Sequence, residues 1–383
     1  MRVKRDLYVH TNVAAPYRVH LFKMLDESFR HTQFIFYTDR PAHTTWKPAR
    51  EVLGGMDVVV PQKTFRFLGR IFSTHMLRIF VRQRKGSVHL VGAGIHSGDW
   101  LLVWLLGILH LAKVIKWNDA GFVDAIRPRD AMLWNRLWRL GCCGVFTPGE
   151  MGRRYSGRFG FHDAQMINAY FSHDVDAFAR FHNENGATAR ILTRKRLGIA
   201  EGKTVVLTIS RWLCLKRLED ASNALALLEK SHPDLAANIE YVLIGQGDWC
   251  AHEPILKSLK TIKVHFVKDM PYDEVLSYYS AADAFLFPSE GDIWGLVVNE
   301  ALSMGLPVIC TDVIGAAELV ENGINGFRLP KRRPDELCRS LFEMLNDESK
   351  LTIMKQNAIK IIAKWNSRRG VESLCRFVNG GRY

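Results

Sequence analysis

Short apolar runs alternate with longer amphipathic segments along the chain of 383 residues. The short runs are rich in Val, Ile and Phe, which favours β-strands, and the segments between them have the spacing of amphipathic helices. Strands that alternate with helices are typical of a doubly wound parallel sheet, so the predicted fold class is α/β. The predicted strands fall into two series: residues 7–10, 34–37, 58–60, 88–91, 114–117, 145–147 and 166–167, and residues 205–209, 241–244, 264–267, 284–287, 308–310 and 327–329.

Between the two series the chain is rich in Asn, Gly, His and Asp, and its apolar residues are scattered, as in a linker. We therefore predict a doubly wound domain at residues 1–170, a linker at 171–195 and a second doubly wound domain at 196–365. Residues 366–383 are predicted as a helix that packs back on the first domain. Ligands of doubly wound sheets bind at the carboxyl ends of the strands, so we expect the site in a central cleft that the two domains face.

The excess positive charge lies entirely in the first half of the chain. Residues 1–170 contain 25 Lys and Arg against 12 Asp and Glu, whereas residues 171–383 contain 27 of each, and the net charge is +13. Residues 58–98 contain no carboxylate, and their apolar positions recur at near-helical spacing, which predicts a basic amphipathic helix: Phe65, Leu68, Phe72, Met76 and Ile79. Its basic face could meet an anionic membrane surface, a nucleic acid or only water.

The composition, with 48% apolar and 24% charged residues, excludes a disordered or fibrous protein. The longest apolar run, residues 101–109, is too short to span a bilayer and is predicted as a buried helix. The seven cysteines contain no C-x-x-C pair, and the N-terminus lacks the apolar region of a signal peptide. We therefore expect a reduced, cytoplasmic location.

The segment 288–309 combines the features of a phosphate site with carboxylates. A buried strand is followed by a glycine-containing loop and by a helix that begins near Gly295, whose free amides and dipole favour a phosphate. Glu290, Asp292 and Glu300 flank this helix start, where a carboxylate can accept hydrogen bonds from hydroxyl groups. A sugar nucleotide supplies both a diphosphate and hydroxyls. Alternatively, the acidic side chains only complement the helix dipole or lie on the surface.

The same segment resembles that of the retaining glycosyltransferases of family 4, whose fold is GT-B. Members carry a carboxylate, seven residues and a glutamate here, which is the spacing of Asp292 and Glu300. Arg211 and Lys216, five residues apart after the first strand of the second domain, match the Arg and Lys that hold the donor diphosphate in the family. Further similar segments extend the resemblance from residue 205 to about 342: residues 244–247, 279–284, 315–320 and 325–327.

This resemblance implies a metal-independent, retaining transfer of a sugar from a nucleotide-sugar donor to a glycan or lipid-linked acceptor, as in polysaccharide biosynthesis. The first domain would bind the acceptor and the second the nucleotide sugar. Arg211, Lys216 and Asp292 would be catalytic, with Asp292 on the transferred sugar, and Glu300 would bind the ribose hydroxyls. The other implied donor-binding residues are Gly245, Gly247, Gly291, Ile293, Trp294, Gly295 and Leu296.

The first half resembles only a subset of the family, through residues 11–22 after the first strand. Ala14 and Ala15 stand where many members have paired glycines, and an Asn-Asp pair follows the strand at 114–117 where members have a His. His96 is a candidate to replace that His, although a lone loop histidine can equally be structural. The residues expected on the acceptor side are Pro16, Tyr17, Arg18, His96, Asn118 and Asp119.

Three alternatives remain open from the sequence. Asp174 and Asp176 form an Asp-x-Asp pair, with which another glycosyltransferase fold binds a divalent cation, but they lie in the predicted linker. Sugar-nucleotide epimerases share the fold, and fold alone does not decide function. A basic nucleic-acid-binding protein is the third alternative, although no recognition helix or aromatic RNA motif is found.

We expect no cofactor or metal, and no nucleic acid as a partner. The expected partners are the nucleotide-sugar donor, the acceptor and an anionic membrane surface, with the protein peripheral on the cytoplasmic face of a membrane. Within the loop, spacing favours Asp292 over Glu290, which lies two residues too early. Because Asp is one methylene shorter than the usual Glu, Glu290 could share the role.

Overall fold

A computed structural model describes residues 2–38, 47–82, 86–93, 95–118, 136–247, 253–268, 270–272 and 274–380. The chain divides into two compact units, Met1–His173 with Asn366–Tyr383, and Asp174–Trp365. Each unit is built on its own parallel sheet. A strand is present at every predicted position, so both predicted series are confirmed. Among the described residues, none of the helices combines the length and hydrophobicity that crossing a bilayer requires.

The first unit contains a seven-stranded parallel sheet in the order β3-β2-β1-β6-β7-β8-β9. Its strands are β1 (Val3–Thr11), β2 (Phe29–Phe36), β3 (Asp57–Val59), β6 (Ser87–Val91), β7 (Ala112–Trp117), β8 (Gly144–Thr147) and β9 (Met166–Asn168), and β4 (Thr64–Phe67) and β5 (Arg70–Ser73) form a separate hairpin. The helices are α1 (Val19–Ser28), α2 (Ala49–Val52), α3 (Thr74–Val81), α4 (Ser97–Ile108), α5 (Gly149–Gly157) and the C-terminal Ser367–Val378.

Aromatic side chains fill the core of the first unit. Phe22 of α1 contacts Phe34, Phe36 and Trp117 edge to face, at ring-centroid distances of 5.2, 5.8 and 6.4 Å. The C-terminal helix Ser367–Val378 buries Leu374 and Val378 in the same core, and Ser367 hydrogen-bonds His20 (Oγ to Nε2, 2.7 Å). The last helix of the chain thus belongs to the first unit.

The second unit contains a six-stranded parallel sheet in the order β12-β11-β10-β13-β14-β15. Its strands are β10 (Thr204–Ile209), β11 (Ile239–Ile244), β12 (Lys263–Val267), β13 (Ala284–Phe287), β14 (Val308–Thr311) and β15 (Gly326–Leu329). Its helices are α6 (Val175–Leu197), α7 (Leu218–Ser231), α8 (Pro233–Ala236), α9 (Glu253–Ser258), α10 (Val275–Ala281), α11 (Leu296–Ser303), α12 (Pro334–Leu345) and α13 (Glu348–Ile362).

The prediction of a linker at residues 171–195 is wrong, because α6 occupies most of that segment. The helix has few buried apolar residues and is held instead by polar contacts. Asp174 caps its start, with Oδ1 accepting from the amide of Ala177 (3.0 Å). Arg190 and Arg194 pair with the carboxylate of Asp283 before β13, at 2.8 and 2.6 Å. A helix attached through charge lacks the apolar stripe that periodicity detects.

The prediction of one amphipathic helix within residues 58–98 is also wrong. Residues 64–73 form the antiparallel hairpin β4–β5, with Phe65 opposite Phe72. The two turn residues, Leu68 and Gly69, have φ angles of 48° and 74°, which a helix does not allow. Among the described residues of this stretch, only α3 and the first two residues of α4 are helical. Ser73 caps the start of α3 by accepting from the amide of Met76 (3.0 Å).

Candidate functional site

The loops that follow β10 and β13 lie against each other at the carboxyl edge of the second sheet, because the two strands are neighbours. The amide of Glu290 donates to the carbonyl of Leu215 (2.9 Å). A Cβ on Gly291 would lie 2.5 Å from Cβ of Leu215, so only glycine allows the loops to approach this closely.

An ion pair joins the two loops. Lys216, in a 3-10 turn after β10, is 9% exposed, and its Nζ hydrogen-bonds Oδ2 of Asp292. Ser289 Oγ donates to the same oxygen (2.6 Å), and the ring of Phe287 lies 5.4 Å from Nζ. In the described part of the chain, no partner contacts the other carboxylate oxygen of Asp292. Asp292 thus fixes Lys216 and keeps one oxygen open to a ligand.

Arg211 is the second cation after β10, and its side chain is exposed. Within the described ranges its guanidinium has no ion pair or hydrogen-bond partner. Gly245 and Gly247 position its loop: a Cβ on them would lie 1.9 Å from Ser210 O and 2.4 Å from Trp212 O. These glycines therefore act here by letting the loops after β10 and β11 touch.

Glu290 is engaged elsewhere, since Arg332 donates two hydrogen bonds to its carboxylate, both at 2.8 Å. The Arg332 guanidinium holds the pKa of Glu290 below its usual value. The structure therefore places Asp292 on Lys216 and Glu290 on Arg332.

Helix α11 begins directly after Gly295, whose φ of 91° favours glycine. Trp294 is 4% exposed, its ring stacks on Trp365 (5.4 Å), and its indole donates to Asn299 Oδ1 (2.7 Å). The Trp294 side chain therefore anchors the helix start, and only the backbone of this residue is left to contact a nucleotide sugar. The neighbouring predicted residues Ile293 and Leu296 are half-buried.

Glu300 lies in α11 and is buried, with 5% exposure. Its Oε1 accepts from the hydroxyl of Tyr272 (2.9 Å) and its Oε2 from that of Tyr279 (2.8 Å). Burial raises the pKa of this carboxyl to about 7. The two tyrosines and Ser289 are site residues that the sequence reasoning missed, although Tyr279 lies in the family-like segment 279–284 and Ser289 in the segment 288–309.

The predicted acceptor-side residues that the structure describes follow the carboxyl ends of strands in the first unit. Pro16, Tyr17 and Arg18 form a 3-10 turn after β1. The Arg18 guanidinium is buried, and its carbon lies 4.8 Å from the ring centroid of Trp117 and 5.7 Å from that of Phe171. Arg18 thus supports the turn by cation–π contacts rather than presenting its charge to solvent.

His96 precedes α4, where its Nδ1 lies 3.6 Å from Oδ2 of Asp99 and its ring packs edge-on against Tyr37 (4.9 Å). Asn118 donates to Ser156 Oγ (3.1 Å). Asp119 lies outside the described residues.

A chain of buried polar rings adjoins His96 and was not predicted. His10 on β1 hydrogen-bonds the hydroxyl of Tyr37 (3.2 Å) and, through Nε2, the Nδ1 of His89 on β6 (3.0 Å). Burial holds the pKa of both histidines below the usual value, to about 3 for His89. Both rings are therefore neutral at physiological pH.

Asp174, proposed from the sequence as a metal ligand, uses its carboxylate to cap α6. Across the described ranges, no group of three His, Cys, Asp or Glu is arranged to hold a metal ion.

Residues 190–361, within the second unit, match the family of glycosyl transferases group 1. This match and the relatives of that name agree with the prediction of a glycosyltransferase enzyme. A D-inositol 3-phosphate glycosyltransferase of Corynebacterium urealyticum is 27% identical over 326 residues, 80% of this chain and 73% of that protein. Its namesake from Thermobispora bispora is 27% identical over 179 residues, 45% of this chain and only 42% of that protein.

A crystal structure of Anabaena Alr3699/HepE in complex with UDP and glucose is similar along almost the whole chain. The TM-score is 0.71 at 15% identity, and the match covers 98% of this chain and 100% of the other. A likeness at this identity establishes the fold. The predicted α/β class and its GT-B type, with two Rossmann-like units, are confirmed.

The contacts of the two loop carboxylates predict different outcomes of substitution. Asp292→Asn keeps the shape but removes the charge that fixes Lys216, so turnover of a nucleotide sugar should fall on the order of 100-fold. Affinity for the nucleoside diphosphate, measured by calorimetry, should not weaken, because the variant loses a negative charge beside the cation. Glu290→Gln is the matched control and should retain most of the turnover. A crippled Glu290→Gln beside an active Asp292→Asn would reverse this assignment.

The raised pKa of Glu300 predicts proton release when a nucleotide sugar binds. Ribose hydroxyls donate best to the ionised carboxylate, so binding should lower the pKa of about 7 and expel a proton near that pH. Affinity should accordingly rise as the pH increases through 7. Calorimetry in two buffers of different ionisation enthalpy measures the number of protons released. The ligand should be a nucleotide sugar, because the terminal phosphate of a free nucleoside diphosphate itself titrates near pH 7. Glu300→Gln should bind more weakly and release no proton; equal release by this variant would rule out Glu300 as its source.

Proposed function

We propose that the protein is a retaining glycosyltransferase of family 4, in the subset with a Pro-Tyr-Arg first loop. In this proposal it transfers a sugar from a nucleotide-sugar donor to a glycan or lipid-linked acceptor, without a divalent metal. The observation that carries the proposal is the pair of cations after β10 within the segment that matches glycosyl transferases group 1: Lys216, fixed by Asp292, and Arg211, exposed.

The two cations suit a departing diphosphate. Cleavage of the bond between the sugar and the nucleotide builds negative charge on the leaving phosphate, and positive groups already in place there lower the barrier most. Arg211 can contact phosphate oxygens in a bidentate manner, and Lys216 acts as a point charge. Because Asp292, which Ser289 holds by a hydrogen bond, already fixes Lys216 in position, little reorganisation is needed during the reaction.

In this proposal the carboxylates of Asp292 and Glu300 accept hydrogen bonds from different hydroxyl groups of the nucleotide sugar. Asp292, with one open oxygen, faces the transferred sugar in this proposal, and Glu300 accepts from the ribose. Retention of configuration is carried over from the family resemblance. Both matched relatives are named as glycosyltransferases, so we keep transfer as the reaction rather than epimerisation.

The proposed donor comes from the comparison with a solved structure, and the proposed acceptor from the charge distribution of the chain. The complex of the Anabaena protein with UDP and glucose makes UDP-glucose the first donor to test. A membrane-proximal, lipid-linked acceptor, reached from the cytoplasmic face of a membrane, is supported by the positive charge of residues 1–170.

Turnover measured with and without a chelator tests the proposal. The protein is incubated with UDP-, GDP- and ADP-sugars in EDTA, and release of the nucleoside diphosphate is followed. We expect activity with one of these donors, and its product should retain the anomeric configuration. Arg211→Ala should lose on the order of 2 to 4 kcal/mol of transition-state stabilisation, because it removes a positive group beside the departing diphosphate. The fold should be unaffected, since the guanidinium has no ion pair or hydrogen bond among the described residues.

Arg339→Ala is the matched control, since Arg339 is an exposed arginine of α12 in the same unit. It should keep the activity of the unmodified protein. No turnover with any nucleotide sugar, or full activity of Arg211→Ala, would contradict the proposal. Activity that disappears in EDTA and returns with manganese would make the reaction metal-dependent and direct attention back to Asp174 and Asp176.

A further inference from the structure

The hairpin β4–β5 of the first unit presents an apolar tip to solvent. Residues 62–69 are all exposed. Phe67 and Leu68 at the tip are 61% and 84% exposed, although both are large apolar residues. Two large apolar side chains exposed side by side on one element indicate a binding surface.

The turn itself is strained by its sequence. A two-residue hairpin turn with positive φ at both positions normally contains Asn-Gly or Asp-Gly, whereas here Leu68 precedes Gly69, with φ angles of 48° and 74°. A bulky side chain at positive φ costs free energy that Asn would save. Strain of this kind is typical of positions kept for function rather than for stability.

The base of the hairpin is firmly attached. The amide of Ile71 donates to Ser97 Oγ (3.2 Å), and the amide of Ser73 donates to Oδ1 of the buried Asp99 (2.7 Å). A Cβ on Gly98 would lie 2.5 Å from the ring of Phe72, so β5 is packed directly on the start of α4. The tip is therefore carried on a rigid base.

Arg66 and Arg70 flank this tip on the two strands of the hairpin. Residues 58–98 contain no Asp or Glu, and in the described part of the chain no ion pair neutralises the cations of the hairpin and α3: Lys63, Arg66, Arg70, Arg78 and Arg82. An apolar tip of two side chains is much smaller than the patch of about 800 Å² per partner that a stable protein interface buries. Exposed apolar side chains flanked by cations instead suit the headgroup region of an anionic bilayer, where the apolar groups insert and the cations meet phosphates.

We propose that the hairpin β4–β5 docks the protein on an anionic lipid bilayer, with Phe67 and Leu68 inserted at the headgroup level and Arg66 and Arg70 bound to lipid phosphates. This inference rests on the proposed membrane-proximal acceptor and names the element that reaches the membrane. The docked hairpin brings the first unit to the surface where a lipid-linked acceptor is embedded.

Vesicle flotation with a matched pair of variants tests the docking element. The full chain is mixed at low salt with vesicles of phosphatidylcholine alone or of phosphatidylcholine with phosphatidylglycerol. We expect binding only to the anionic vesicles, weakening as salt is added. Leu68→Asn should lower the partition constant about tenfold, because it removes the inserted side chain. Its melting temperature should not fall, because Asn accepts positive φ.

The double variant Arg66→Gln, Arg70→Gln should bind anionic vesicles about 25-fold more weakly, at about fivefold per cation.

Ile353→Asn is the control for Leu68→Asn, since Ile353 is a 57% exposed apolar residue of α13; it should bind vesicles like the unmodified protein. If Leu68→Asn binds as tightly as the unmodified protein, the hairpin is not the docking element, although membrane association itself stands. If the unmodified protein binds no anionic vesicle, the membrane proposal falls together with this inference, whereas UDP titrations still judge the transferase proposal separately. A concentration-dependent dimer that Leu68→Asn abolishes, without vesicle binding, would assign the tip to a second copy of the chain.

Discussion

A part-buried ion pair between Lys216 and Asp292 joins the loop after β10 to the loop after β13. Lys216 is 9% exposed, and a cation with so little access to water is costly without a partner charge. The pair therefore holds the two loops together, and Gly291 permits the contact by leaving no side chain between them. The exposed Arg211 and the start of α11 are placed by the same two loops, so the arrangement of the candidate site depends on this contact.

At the amino end of β13, an ion-pair cluster around Asp283 joins two helices to the sheet of the second unit. Asp283, before β13, accepts from Arg190 and Arg194 of α6 and from Lys355 of α13. Burial opposes its ionisation, but these cations hold its pKa below the usual value. The site then offers positive charge after β10 and, at Glu300, a carboxyl whose raised pKa makes it sensitive to pH near neutrality. One part suits a diphosphate, and the other suits hydroxyl groups.

The sequence allowed the parallel strands to be predicted, because their β-branched and aromatic runs reflect burial on both faces of a sheet. It misled us at α6, which is attached by guanidinium–carboxylate contacts, and at residues 64–73, where apolar spacing suited a helix but the Leu68–Gly69 turn required a hairpin. In the site, spacing favours Asp292 over Glu290 for the transferred sugar, and this stays a prediction. The contacts of Tyr272 and Tyr279 with Glu300 could not be predicted, since both tyrosines are more than 20 positions away along the chain.

A double-mutant cycle on the turnover number tests most directly whether Lys216 and Asp292 act as one unit. Turnover is measured for the unmodified protein, Lys216→Ala, Asp292→Asn and the double variant, with folding checked by circular dichroism. If the pair works as a unit, the double variant should lose no more activity than the worse single variant, because each single change already disables the other residue. Losses that multiply in the double variant would show that the two residues act independently, and would contradict the account.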